Sequence, residues 1–104
     1  MEKKIDWSLR ANKDLQKTYE FNAIVIGEVQ SYKVIEQLVD AVEILKKPAS
    51  SKIGVPYKSD KHPERLYRKL IEAKHYQIFY REVGKQIRII RIFDSRQSPK
   101  KLKL

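Results

Sequence analysis

The sequence predicts an α+β domain in which an αα-hairpin packs on one face of a small antiparallel sheet, in the order β-α-α-β-β-β. Three observations carry this prediction. Ile35, Leu38, Val39, Val42 and Leu45 recur at i, i+3, i+4, i+7 and i+10, the spacing of a core-facing helical stripe. Two apolar runs flank Gly84-Lys85, as in a β-hairpin. Helical signals fill the first half of the chain and strand signals the second, which separates the two layers in sequence.

The elements follow in order. Residues 3–7 alternate, with Ile5 and Trp7 on one side and Lys4 and Asp6 on the other, so they form a short half-buried strand. Trp7 belongs to the core. Ser8 then offers an oxygen to cap a helix. Ala11, Leu15 and Tyr19 make one apolar stripe, with Arg10, Lys13, Asp14 and Lys17 off it. That helix runs from about residue 8 to the low twenties and breaks at Gly27. The second helix has Ser31 as one possible cap, Lys46 and Lys47 in its last turn, and Pro48 as its stop. Residues 48–64, with Pro48, Ser50, Ser51, Gly54, Pro56, Asp60 and Pro63, read as a loop. Strands follow at 66–72, 75–83 and 86–93. Glycine at the first central position suits a type II′ turn at Gly84-Lys85. In that register Tyr80 faces Ile89, and Arg81 faces Arg88.

The hairpin is apolar on both faces. Ile78, Tyr80, Ile87 and Ile89 share one; Phe79, Ile90 and Ile92 share the other with Gln77, Arg81 and Arg88. Two helices cover only one face, so the second is expected to expose apolar side chains beside arginines. Such surfaces mark binding sites unless a loop or the C-terminal tail covers them. Arg91 is the misfit: this register puts it on the apolar face, so either it reaches the sheet margin or the register changes.

The 104 residues hold 23 Lys/Arg against 13 Asp/Glu, a formal net charge of +10. Residues 1–56 carry only +1 of this, from 9 basic and 8 acidic side chains. Residues 57–104 carry +9, from 14 and 5. The asymmetry points to an anionic partner for the C-terminal half: nucleic acid, a ribosome or an acidic protein segment. The absence of cysteine excludes disulfides and thiolate metal sites. The two histidines, His62 and His75, are not at ligand spacing; His75 reads as a surface turn residue, and no metal or cofactor is expected. The longest purely apolar run, at 23–26, is too short to span a bilayer. The first residues lack the apolar stretch of a signal peptide, so the chain is expected in the cytoplasm, with no membrane partner.

Several segments together resemble the RelE/ParE superfamily of toxins. These are Ile5, Trp7, Ala11, Asp14 and Leu15; Tyr67-Arg68-Lys69-Leu70; Tyr76-Gln77-Ile78-Phe79-Tyr80-Arg81; and Ile92-Phe93-Asp94-Ser95-Arg96-Gln97-Ser98-Pro99. The last is the most specific, and the resemblance spans essentially the whole chain as one toxin domain, 1–104. It implies a type II toxin, of the plasmid-stabilising kind, neutralised by an antitoxin whose acidic and apolar C-terminal segment wraps it. The ending is more similar to the ParE-like branch, which binds DNA gyrase, than to the RelE-like branch, which cuts mRNA on the ribosome. The resemblance puts Gln77 where nuclease relatives carry a phosphate-binding arginine, and Ser95 and Arg96 where some carry a His-Tyr pair. Arg68 falls near a basic strand residue of the nucleases. No catalytic set is therefore assigned; Arg68 and Arg96 are the candidates if the chain is a nuclease. The expected antitoxin- or target-binding residues are Phe79, Arg81, Arg88, Ile90 and Arg96. The structural alternative for Arg96 is an ion pair with Asp94 or a neighbouring carboxylate. A ribosome-dependent endoribonuclease, or a degenerate member that binds antitoxin without toxicity, are the competing readings.

Overall fold

The architecture follows from a computed structural model that describes residues 2–47 and 52–104. The order is β1 (Lys4–Trp7), α1 (Leu9–Ile26), α2 (Glu28–Ile44), β2 (Val55–Tyr57), β3 (Tyr67–Glu72), β4 (Tyr76–Val83) and β5 (Gln86–Asp94), then a 3₁₀ turn at Pro99–Lys101. The α+β class holds, with the helical pair packed on the sheet. The sheet itself has five strands, in the order β1-β5-β4-β3-β2. Its first pair is parallel, with Ile5 beside Ile87 and Trp7 beside Ile89. The remaining pairs are antiparallel. The sheet is therefore mixed rather than wholly antiparallel: the helical hairpin carries the chain away from β1, and the β2–β5 meander brings it back alongside in the same direction.

Ser8 caps α1 as its position suggests. Its Oγ accepts the Ala11 amide at 3.0 Å and donates to the Ile90 carbonyl at 3.1 Å, tying the helix start to β5. Gly27, at φ +92°, ends α1 and begins α2, so the second helix starts earlier than Ser31. Ser31 is instead a buried clasp: its Oγ donates to the Tyr19 carbonyl at 2.6 Å across the two helices. The stop assigned to Pro48 lies outside the described residues, as do Ser50 and Ser51.

One apolar cluster joins Ala11, Leu38, Ala41, Val42 and Leu45 of the helices to Tyr76, Ile78, Tyr80, Ile87, Ile89 and Ile92 of the sheet. Trp7 and Ile5 pack against it. The β4–β5 pairing keeps the expected register from Val83/Gln86 to Tyr80/Ile89, and Arg81 faces Arg88. A bulge then intervenes, so that Phe79 faces Arg91 and Ile78 faces Ile92. The extra residue resolves the misfit at Arg91. Ile92 moves to the core face, contrary to the unbroken alternation, and Arg91 leaves it.

The loop assigned to 48–64 contains β2, an edge strand paired with β3 through Val55–Lys69, Pro56–Arg68 and Tyr57–Tyr67. Proline had argued against a strand here, yet an edge position tolerates it. The turn between β3 and β4 puts Ala73 at φ +48° and Lys74 at φ +69°, a left-handed pair with no glycine or asparagine to ease it. His75 closes that turn through its amide on the Ala73 carbonyl at 2.8 Å.

Candidate functional site

The face of the sheet away from the helices is less open than the sequence implied. Phe79 is 0% exposed, and Phe93 and Tyr67 are also buried on it or at its margin. The Phe79 ring meets the Tyr57 ring edge-on at 4.9 Å, and Lys69 Nζ sits 5.6 Å from the Tyr57 ring centre. A small cleft of about 190 Å³ lies beside Tyr57, between Ser59–Lys61 and Leu102–Leu104. Tyr57 of β2 supplies cover for Phe79 that a four-stranded sheet would lack. Phe79 is thus a core residue of the second face, not an exposed apolar contact. Ile90 is only partly buried.

What this face does present is charge. Arg81 and Arg88 stand opposite one another across β4 and β5. Directly opposed like charges repel, so each gains from an anion. Arg88 has one: its Nε donates to Asp6 Oδ2 at 2.9 Å, with both side chains about two-fifths exposed. Arg81 has no ion pair or hydrogen bond among the described residues. Among the described residues, the pair is therefore half neutralised.

The terminal motif is built differently. Arg96 grips Asp94 through Nε–Oδ1 at 3.0 Å and Nη2–Oδ2 at 2.8 Å, and its amide also reaches Oδ1 at 2.9 Å. This bidentate geometry holds the Asp94 carboxyl below the usual carboxylate range, the Arg96 hydrogen bond being the largest cause, and raises Arg96 in turn. Asp94 pairs across the sheet with Tyr76, whose hydroxyl accepts Asn22 Nδ2 at 2.8 Å in the interior. Next to this network lies a groove of about 420 Å³ between α1 and the end of β5, lined by Lys17, Phe21, Tyr76, Arg91, Asp94 and Lys101 among others. Its floor is fixed by Asp14, which binds Arg91 at 2.7 and 3.1 Å and accepts the Ile92 amide at 3.0 Å.

Arg68 lies away from both clusters, and it is occupied. Its Nη1 donates to the Gly54 carbonyl at 2.6 Å and approaches that of Lys52 at 3.4 Å. The Gly54 amide in turn donates to the buried Tyr80 hydroxyl at 2.9 Å. Burial pushes the Tyr80 phenol up, with the Gly54 amide and Arg68 opposing it. A side chain at Gly54 would place its Cβ 2.7 Å from Tyr80 Oη and 2.8 Å from the Lys69 carbonyl, so the glycine is required for close approach. Of the predicted residues, then, Arg81 and Arg88 come together; Arg68, Arg96 and Phe79 stand apart, each held by internal partners. Asn22 and Gly54 were missed. Asn22 lay on the helix with no pattern to mark it, and Gly54 looked like ordinary loop punctuation.

Among the described residues no group of three or more histidine, aspartate or glutamate side chains gathers as a metal site would need, and no helix is long and apolar enough to cross a membrane. A protein family described as the ParE toxin of type II toxin–antitoxin system, parDE, matches residues 5–99. The chain belongs to the ParE family of type II toxin–antitoxin toxins. The ParE match runs from Ile5 in β1 through both helices and the later strands to Pro99 in the terminal motif. The fold agrees with a solved structure titled "Chromosomal ParDE TA system from P. aeruginosa", at TM-score 0.76 and 24% identity, over 89% of this chain and 96% of that one. No curated protein matches significantly in sequence.

Proposed function

We propose that this ParE-family chain is held inactive in the cytoplasm by an antitoxin, and that once released it acts by binding DNA gyrase rather than by cutting mRNA. The observation that carries the mechanistic half is the engagement of both candidate nuclease arginines. Arg68 is spent on the carbonyls of Gly54 and Lys52, and Arg96 on Asp94. Cleavage by 2′-hydroxyl attack needs a cation aimed at the phosphate and an acid–base pair beside it. Gln77, a neutral amide, supplies no such cation.

The antitoxin half rests on charge. An acidic and apolar segment finds Arg81 without a counter-ion among the described residues, Arg88 paired with a half-exposed Asp6 and Ile90 partly exposed, within a half-chain of net charge +9. Phe79 leaves this surface, because it is covered. Arg96, held by Asp94 through Nε and Nη2, offers a partner at the far end only the exposed remainder of its guanidinium. Inducing the chain in cells tests the mechanism: a DNA-damage response without mRNA fragments is the expected outcome, and mRNA cleavage without DNA damage would assign the chain to the ribosome-dependent branch. If neither appears, the antitoxin-binding member without toxicity is the better description.

A further inference from the structure

Tyr76 is only 4% exposed, and it lines the groove between α1 and the end of β5. Its hydroxyl meets Asn22 at 2.8 Å. The same Asn22 atom reaches the Thr18 carbonyl at 2.8 Å, and a carbonyl only accepts. That atom is therefore the amide nitrogen, and the Tyr76 oxygen is its acceptor. The phenol keeps its own proton to donate, and among the described residues nothing accepts it. A buried donor without an acceptor is costly unless something else supplies one. This donor stands beside open space, because Thr18 and Phe21, on either side of Asn22 in α1, both line the groove.

The charge around that proton is positive. Both carboxylates of the groove are already closed, Asp14 by Arg91 and Asp94 by Arg96. Lys17 on α1 and Lys101 in the 3₁₀ turn also line it, and among the described residues neither has a carboxylate partner. Gln97 adds an exposed amide, and two walls are aromatic: Phe93 is buried and Phe21 is 54% exposed. At about 420 Å³ the groove has the size of a site for a small organic ligand, more than a bare ion needs. Two lysines beside neutral donors match a phosphate monoester, whose charge at neutral pH is about −1.5 to −2, better than a singly charged carboxylate. The exposed ring of Phe21 suits a planar body laid against it. We propose that this groove binds a nucleoside monophosphate, its phosphate between Lys17, Lys101 and the Tyr76 hydroxyl and its base on Phe21. Neither Arg81 nor Arg88 lines the groove, so this site is separate from the surface assigned to the antitoxin.

Titration calorimetry of the full chain with adenosine monophosphate is expected to show one site whose affinity falls as salt rises. Inorganic phosphate and adenosine, titrated separately, should each bind at least about tenfold more weakly, since each keeps only part of the contacts. Tyr76→Phe keeps the ring and removes the proton, and should lose about tenfold or more in affinity. Lys17→Gln with Lys101→Gln, both at exposed positions, should lose about as much and flatten the salt dependence. Tyr76→Phe also takes the acceptor from Asn22, so its circular dichroism and thermal melt are measured alongside; if it does not fold, the lysine pair decides. The absence of binding at millimolar nucleotide overturns the proposal. So does inorganic phosphate bound as tightly as the nucleotide, or an affinity that the substitutions leave unchanged. Binding of a phosphorylated oligonucleotide without binding of the mononucleotide overturns it equally and assigns the groove to a nucleic-acid end.

Discussion

Asp14 on α1 and Arg91 on β5 hold each other through two hydrogen bonds, of 2.7 and 3.1 Å, and the same Asp14 oxygen that takes Arg91 Nε also takes the Ile92 amide at 3.0 Å. One carboxylate thus fixes the helix to the strand and satisfies the edge of β5 just past the bulge, where β1 has ended. Arg91 also donates to the Lys103 carbonyl, so the C-terminal residues are tied to the same point. The side chains are only about 15% exposed, which makes this the least solvated ion pair described in the protein.

Removing Asp14 should therefore cost more than removing Arg91. Asp14→Ala strands both a mostly buried guanidinium and the Ile92 amide, at a cost of about 3–5 kcal/mol. Arg91→Met leaves Asp14 still hydrogen-bonded to Ile92 and keeps the packing volume, so its cost is expected at about half that or less. Urea unfolding of both variants checks the order. Equal losses would mean that the amide bond contributes nothing.

These two residues also show what was legible in the sequence. Asp14 stood off the apolar stripe, and Arg91 stood on the wrong face of its strand. Only Arg91 reads as an irregularity, since Asp14 is an ordinary polar-face position, yet they are the two halves of one contact. Periodicity placed the helices and the hairpin, because burial imposes its period on local sequence. It could not place the bulge, beside which Ser8 and Asp14 bond β5 from 78–82 residues away. It also passed over β2, since three residues with a central proline carry no strand signal until β3 pairs with them. The exposure expected of Phe79 failed for the same reason: Tyr57 on that unforeseen strand lies against it. For the site, Arg81 opposite Arg88 followed from the turn type alone, whereas the partners of Arg68 and Asn22 came from distant segments with no shared pattern.

Asp94 gives a pH test. Its carboxyl is held below the ordinary range by Arg96, so it binds protons more readily unfolded than folded. The stabilisation is present above the unfolded carboxylate pKa and is lost as pH falls through the folded one. Arg96 is half exposed, so solvent screening limits the effect to about 1 kcal/mol or less. Arg96→Gln should lower stability at neutral pH and converge with the parent chain in strong acid. Denaturant melts across the acid range read this directly; a constant gap at all pH values would show that the pair contributes by packing instead.

Gly54→Ala should be disruptive out of proportion to its size. The added methyl meets Tyr80 Oη and the Lys69 carbonyl well inside contact distance, and the interior cannot yield without moving β3. A loss of about 1–3 kcal/mol is expected. Tyr80→Phe removes the acceptor of the Gly54 amide and should cost about 1–2 kcal/mol. Thermal melts measure both, and a neutral Gly54→Ala would mean that the 52–57 segment can lift from the sheet freely.

The antitoxin surface makes a graded prediction. Among the described residues Arg81 has no anion and Arg88 has Asp6, so Arg81→Glu should weaken antitoxin binding more than Arg88→Glu does, with about tenfold or more lost for the first. Titration calorimetry with the antitoxin's C-terminal segment supplies the comparison. Unchanged affinity in both variants places the segment elsewhere on the molecule.

Gyrase binding without RNA cleavage is tested by a supercoiling assay with the purified chain, run beside primer extension on translating ribosomes. Inhibited supercoiling and intact mRNA are expected, with Arg68→Ala altering stability but leaving the target unchanged. Codon-phased cuts in the mRNA that vanish with a folded Arg68→Ala or Arg96→Ala variant, while gyrase works normally, would contradict it.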